Sequence, residues 1–246
     1  TNPTFEQFST YYLDVDNIFI PDGWNFWYQR DNVRLDRMDD WIRWVRPEVL
    51  VLRKDQLPPN EQALLFPLNS RVIKCFKGQG AIWWRLGQVA ILTKDVTYRF
   101  SVHAFPDLVE SQSGTVKTYA PDPLNGEIRL GMGTAVTPWY DGNVARFGEY
   151  IHLSTEFPPP EDGRYDVWVE ARGRWPVSNV GWFINYASLE VVSTPTEDLT
   201  PLKEDIAELK LRILALQGKV GALIDFLEVT HAHYEQGAIA LADLIV

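Results

Sequence analysis

The chain is 246 residues long, 46% hydrophobic and 13% aromatic, a composition that excludes a disordered polypeptide and suffices for one large β-domain with an appendage. With 33 acidic against 23 basic residues the formal net charge is −10, and no Lys/Arg cluster stands clear of nearby Asp/Glu, which argues against nucleic acid as a partner. No apolar run reaches the roughly 18 residues of a membrane span. No leader peptide is legible ahead of Thr1, although one cleaved earlier would leave no trace. The single Cys75 lies in an apolar strand and reads as a buried free thiol. It leaves the redox compartment open, because a disulfide-free β-domain folds inside or outside a cell.

In chain order, residues 1–50 mix aromatic and acidic residues without steady periodicity. Trp24 and Trp27 are assigned to the core, and the spacing of Trp41, Trp44 and Val45 between Arg34 and Arg46 predicts a short amphipathic helix or an irregular arm. Gln56 to Asn60, with Pro58 and Pro59, reads as a loop; Val72 to Lys77 reads as a β-branched, apolar strand. Gly78-Gln79-Gly80 turns it into Ala81 to Gln88, whose alternation sends Ile82, Trp84 and Leu86 to one face and Trp83 and Arg85 to the other. Val96 to Phe105 alternates cleanly, with Val96, Tyr98, Phe100, Val102 and Ala104 inward against Thr97, Arg99, Ser101 and His103 outward. Residues 106–126 read as loop, and Glu127 to Met132 and Tyr150 to Phe157 as two further strands. The glycine alternation Gly131-Met132-Gly133 lacks the helix, lysine and third glycine of a phosphate loop, so it reads as close backbone approach in a sheet. Thr137 to Gly142 presents Trp139 and Tyr140 as an exposed aromatic pair on a loop.

Arg164 to Val192 reads as a closing β-hairpin. Val167, Val169 and Ala171 alternate with Trp168, Glu170 and Arg172; Gly173 to Pro176 interrupts; Val180, Trp182, Ile184 and Tyr186 then share one face. Short strands separated by Pro/Gly/Asp turns, without intervening helices, predict a mainly β, antiparallel two-sheet β-sandwich with Greek-key connections over residues 1–192.

Residues 193–200 read as a linker. Thr200-Pro201 then carries a capping hydroxyl and a first-turn proline, starting a helix that runs to residue 246 with weak places at Gly218, Gly221 and Gly237. Leu202, Ile206, Leu209, Ile213, Leu216, Val220, Leu223 and Leu227 recur at steps of four and three. This is a heptad with Ile206, Ile213 and Val220 at a and Leu209, Leu216 and Leu223 at d, which predicts a coiled coil with other copies of the chain. Ile224 and Phe226 widen the stripe at e and g, favouring a homotrimer over a dimer. Beyond Leu227 the repeat decays through Thr230, Tyr234 and Gly237 before Leu241 and Leu244 resume it.

Arg174-Trp175-Pro176-Val177, followed by an aromatic strand ending Ala187-Ser188-Leu189, resembles the end of carbohydrate-binding-module-like jelly rolls of the galactose-binding-like type. Asn2-Pro3-x-Phe5-Glu6, Pro21-Asp22-Gly23-Trp24 with Trp27, and Arg46-Pro47-Glu48 resemble the opening segments of such domains, in the same order, so that the resemblance spans residues 2–192. It implies a jelly roll that binds sugars. Many such domains hold a structural calcium through an N-terminal glutamate, which Glu6 matches, and an acidic pair just before Ala-Ser-Leu. Asn185 and Tyr186 replace that pair here, so the calcium set is incomplete.

Sugars are held by aromatic faces and planar polar groups. The outward residues Arg99, His103, Arg129, Trp168, Glu170 and Arg172 are candidates to line one sheet face, with Trp139, Tyr140 and Trp175 on loops at its rim and Trp83 as a further outward tryptophan. The same tryptophans read equally as packing, with Trp175 stacked on Arg174 or Arg172 to close a sandwich edge. Catalysis finds less support. No spacing pairs any two of Glu110, Glu127, Glu149 and Glu170 across a cleft, and His103 and His152 lie on strands without a nucleophile motif. His231 and His233 point to different faces of the helix, and no metal-ligand spacing occurs. The expected function is therefore a non-catalytic, cofactor-free carbohydrate-binding protein, oligomerised by its tail for avidity at a surface. The alternative is a structural or assembly protein, a cell-surface or virion component that uses the jelly roll as a building block; an extracellular, cell-surface or virion setting suits both.

Overall fold

The computed structural model describes residues 5, 7–10, 17–34, 41–65, 70–175, 177–194 and 200–243. The strands among them are β1 (Phe8–Thr10), β2 (Phe19–Pro21), β3 (Asn25–Tyr28), β4 (Val33–Arg34), β5 (Trp41–Ile42), β6 (Glu48–Arg53), β7 (Arg71–Lys77), β8 (Ile82–Leu92), β9 (Thr97–Ser113), β10 (Val116–Tyr119), β11 (Gly126–Met132), β12 (Ala135–Val136), β13 (Tyr140–Asp141), β14 (Ile151–Phe157), β15 (Gly163–Gly173) and β16 (Asn179–Ser193). The α-helices are α1 (Pro59–Leu65) and α2 (Thr200–Asp243). Contacts divide the chain into two units, Thr1–Pro195 and Thr196–Val246.

The first unit is mainly β, with its antiparallel sheets in a sandwich. One sheet runs β10-β9-β16-β7-β6, with β14 also on β9; the other runs β12-β11-β15-β8-β3, with β13 also on β11. Period-two alternation decides what each strand buries. Ile82, Trp84 and Leu86 of β8, Ile128, Leu130 and Met132 of β11, and Val167, Val169 and Ala171 of β15 share one core with Phe100, Val102 and Ala104 of β9 and with Val180, Trp182 and Ile184 of β16. Each large apolar side chain so buried contributes about 1.5–3 kcal/mol. Trp84 and Trp182 are both 1% exposed, and the indole Nε1 of each is buried without a hydrogen-bond partner. That unmet donor costs about 1–3 kcal/mol, so these rings are held by packing alone.

The supposed closing hairpin is not one. β15 and β16 lie in different sheets, because both edges of β15 are already occupied, by β8 along its whole length and by β11 along its second half. β16 pairs instead with β9 and β7, and its apolar face meets that of β15 across the sandwich. The crossing is tight at Gly173, where a Cβ would stand 2.0 Å from Val180 Cγ1. Tyr186 also leaves the expected face. A β-bulge between Ile184 and Tyr186 inserts Asn185, so Tyr186 pairs with His103 on the outer surface while Ala187 returns to the core.

Residues 106–126 are largely strand rather than loop, since β9 continues through Pro106 to Ser113 and turns back as β10. Proline is tolerated there because β14 has ended at Ala104 and β10 begins pairing only at Val109, so the ladder on that side is open. Between Arg34 and Arg46 the described residues form no helix: β4 and β5 pair, and Trp44 bridges to Ala81. The loop expected at Gln56 to Asn60 is interrupted by a 3-10 turn, Lys54–Gln56, and by α1, which Pro59 starts. Trp24, 4% exposed, lies in the core as expected; Trp27 does not, at 44%. Cys75 is buried.

The second unit is α2, 44 residues, with Pro201 in its first turn, where a missing N–H costs nothing. Ile206, Leu209, Ile213, Leu216, Val220, Leu223 and Leu227 are all exposed in the single chain, by 45–60%. The side chains of Leu202 and Phe226 lie outside the described residues. Among the described residues no helix is long and apolar enough to cross a membrane.

The Gly173 crossing is testable. Gly173→Ala should lower the unfolding free energy by about 1–3 kcal/mol in urea titrations followed by circular dichroism. Gly163→Ala, whose added Cβ would meet nothing nearer than Tyr165 at 3.7 Å, should change it by under about 0.5 kcal/mol.

Candidate functional site

The outward residues of β8, β11 and β15 form one continuous face, and its layout follows from register. Glu170 on β15 lies between Arg85 on β8 and Arg129 on β11; Arg172 lies between Trp83 and Glu127; Trp168 lies between two glycines, Gly87 and Gly131. Directly opposed residues in antiparallel strands bring their Cβ atoms within about 5 Å, so these triplets meet side by side.

Two carboxylates, each 1% exposed, tie the face together. Glu170 accepts from Arg129 Nε at 2.6 Å, Trp83 Nε1 at 2.8 Å and Arg85 Nη2 at 3.3 Å. Glu127 accepts from Arg172 Nε at 2.6 Å and is paired with Arg174 Nη2 at 3.1 Å, while Arg174 Nε donates to the Leu124 carbonyl at 2.7 Å. Burying a carboxylate costs several kcal/mol unless cations and hydrogen bonds offset it, and here each has two guanidiniums. The guanidiniums are also stacked. Arg129 and Arg172 both lie 4.2 Å from the Trp139 ring centre, Arg85 lies 4.1 Å from that of Trp168, and Arg172 lies 5.2 Å from that of Trp83.

Six of the ten expected ligand residues therefore come together: Trp83, Arg129, Trp139, Trp168, Glu170 and Arg172. Arg99 and His103 do not join them. Their strand, β9, belongs to the other sheet, where Arg99 pairs with Glu156 at 2.6 Å and His103 stacks on His152 with ring centres 4.5 Å apart. Burial, and then the neighbouring His152, hold the His103 imidazole below its usual pKa. Tyr140 is not on an exposed loop; it pairs with Ile128 in β13 and packs against the core. Trp139 is half-buried between its two arginines, and Trp175 stands exposed in the β15–β16 connection. Arg172 and Arg174, the stacking partners expected for Trp175, reach Trp139 and Trp83 and the buried Glu127 respectively.

Beside this network lies a groove of about 190 Å³ that sequence reasoning missed, lined by Asn25, Trp27, Arg85, Gly87, Gln88, Asp166 and Trp168. Gly87 makes its floor, because a residue with a Cβ would press to 2.8 Å on Trp168 Cβ. Trp168 is 8% exposed and its ring lies on β11, so close that a Cβ on Gly131 would stand 2.1 Å from it. It is a wall of the groove; the open aromatic surface is Trp27, whose ring meets Trp83 edge-on at 5.9 Å. Two signals pointed here. In Asn25-Phe26-Trp27-Tyr28 an inward Phe26 forces Trp27 outward, and a glycine inside a strand marks close approach.

Of the calcium set that the resemblance implied, only Asn185 and Tyr186 lie among the described residues, and they bring no carboxylate. Asn185 turns its amide nitrogen, a hydrogen-bond donor, to the carbonyls of Arg71 and Leu65 at 3.3 and 3.5 Å, and Glu6 lies outside the described residues.

No family model matches the chain, and no curated protein matches it. Among solved structures it is similar to a family 61 carbohydrate-binding module in complex with β-1,4-galactotriose, at 14% identity over 78% of this chain and 96% of that one, with a TM-score of 0.47. It is also similar to the C-terminal family 22 carbohydrate-binding module of Clostridium thermocellum Xyn10B, at 13% identity over 79% and 97%, with a TM-score of 0.37. The enzymatically active domain of tailspike protein 4 of Bacteriophage CBA120 is similar at 9% identity, over 70% of this chain and 20% of that one, with a TM-score of 0.41. A carbohydrate-binding module of the β-sandwich superfamily is similar at 8% identity, over 68% of this chain and 57% of that one, with a TM-score of 0.37.

The buried network should be far more sensitive than exposed ion pairs. Glu170→Ala, which strands Arg129, Arg85 and Trp83 without their acceptor, should cost about 2–4 kcal/mol of unfolding free energy. Arg99→Ala, which removes an exposed pair on the other sheet, should cost under about 1 kcal/mol in the same urea titration.

Proposed function

We propose that the chain is a non-catalytic glycan-binding protein that uses the outer face of β3, β8, β15 and β11, with several copies held together by α2. The observation that carries this reading is the groove floored by Gly87, which sets one open tryptophan beside fixed polar groups. The apolar face of a pyranose stacks on Trp27, and its hydroxyls meet Asn25, Arg85, Gln88 and Asp166. Trp83, Arg129, Trp139, Trp168, Glu170 and Arg172 act from beneath and beside, locking Arg85 and the groove wall in place so that little order is lost on binding. Glu127 and Glu170 are each engaged by two guanidiniums and serve as anchors for them rather than as an acid and a base.

One shallow groove on one chain binds sugar weakly, and joining copies converts weak sites into avid ones. The a and d residues of α2, Ile206 to Leu227, form an apolar stripe that is exposed in the single chain, and Ile224 at e, 49% exposed, widens it. A helix of roughly 65 Å with such a stripe is satisfied most simply by copies of itself, in a trimer before a dimer.

Calorimetric titration with a panel of polysaccharides should find a ligand that Trp27→Ala weakens by about 1 kcal/mol or more. The absence of any ligand at millimolar sugar would sink the reading. Light scattering after size exclusion should give a mass near three chains for residues 1–246 and one chain once residues 200–246 are removed. A monomeric full chain at micromolar concentration overturns the role of α2.

A further inference from the structure

The protein is acidic, with a formal net charge of −10, but this face is not. The outward positions of β8, β11 and β15 carry Arg85, Arg129, Arg164 and Arg172 against Glu127, Asp166 and Glu170, and Arg174 adds a fourth guanidinium around the two buried carboxylates. With Asp141 of β13 opposite Glu127, five arginines stand against four carboxylates, an excess of one positive charge, and the arginines do not share it equally. Glu170 is held closely by Arg129 and Trp83, at 2.6 and 2.8 Å, whereas Arg85 reaches it only through Nη2 at 3.3 Å. That is the one hydrogen bond Arg85 makes among the described residues, and its Nε is buried without a partner. Its side chain is 41% exposed and lines the groove, and its guanidinium plane is held over Trp168. A planar cation so oriented, with most of its N–H groups uncommitted, fits a planar anion with two oxygens.

Register completes the argument. Arg85 is the direct cross-strand partner of Trp27, so their side chains rise side by side, about 5 Å apart at Cβ. A pyranose lying on Trp27 carries its ring substituents to about that distance. Asp166, the groove's own carboxylate, stands four residues along β15 from Glu170, roughly 13 Å along the backbone, and makes no ion pair with Arg85 among the described residues, which leaves it to accept from hydroxyls.

Resting on the glycan-binding reading, we infer that the ligand is an acidic polysaccharide, whose uronate carboxylate takes the Arg85 guanidinium while its pyranose face lies on Trp27. The test uses the full chain and matched pairs of glycans that differ only in the acid. These are homogalacturonan as free acid and as methyl ester, and β-1,4-glucuronan against β-1,4-glucan, with neutral β-1,4-galactan and dextran sulfate as further probes. For at least one pair the acid should bind about tenfold more tightly than its neutral partner in 50 mM NaCl, and that ratio should shrink in 500 mM NaCl. Arg85→Gln, with its circular dichroism checked, should bring the ratio to about one. If that variant fails to fold, the salt dependence of the unmodified chain decides. Neutral glycans bound as well as their acids overturn this inference and leave glycan binding standing. No glycan bound in either class overturns both. Dextran sulfate bound as tightly as the uronates overturns the carboxylate as the group recognised.

Discussion

A carboxylate that is 1% exposed has to find its counter-charges within the protein, and on this sandwich two such groups organise a whole face. Glu170 and Glu127 occupy neighbouring strands, and each draws a guanidinium from across the strand pair and a second from elsewhere. Such pairs rarely stabilise a fold more than apolar residues of the same size would, because desolvation takes back most of the attraction. What they do supply is direction. An arginine whose Nε or Nη2 is committed to a buried oxygen has few rotamers left, and its flat side must then cover something flat. Trp139, Trp168 and Trp83 are what it covers.

The groove is a consequence of that order together with two missing side chains. Trp168 is opposed on both neighbouring strands by glycine, so its large ring has room on one side to lie down against β11 and leaves an opening over Gly87 on the other. A wall made of a ring pinned by Arg85 and by backbone has little freedom to move, so the groove is rigid as well as shallow. The exposed tryptophan, Trp27, is on a short strand that among the described residues pairs in its sheet with β8 alone.

The outer face of the opposite sheet is built differently. Leu65 of α1 packs with Val72, Phe105 and Phe183 into a small second core on the outside of that sheet. Nearby, Lys117 bridges Asp107 and Glu61 at 2.9 and 3.3 Å, and Lys74 lies over the rings of Phe76 and Phe183. Burial holds the Lys74 amine below its usual pKa in spite of the acids around it. Part of one outer face is thus covered by its own chain, while the other leaves Trp27 and Arg85 open.

Inward and outward alternation was legible from the sequence because it is a property of one strand at a time. Ile82, Trp84 and Leu86 had to oppose Trp83 and Arg85 whatever lay beside them, and the same held for Val167, Val169 and Ala171 against Trp168, Glu170 and Arg172. That residues after Thr200 form a helix was legible for the same reason, being a property of one segment. Pairing is not such a property. That β9 joins β16 and β14, putting Arg99 and His103 on the far side from Arg129, depends on which strand edges are still free when the sheets assemble. The bulge at Asn185 that turns Tyr186 outward, and the approach that makes Gly87 and Gly131 the bed of Trp168, likewise arise only between strands distant in sequence. The residue types of the face were therefore set locally, and only the tertiary structure decided which of them meet, because strand pairing is a competition among edges that no single segment can settle by itself.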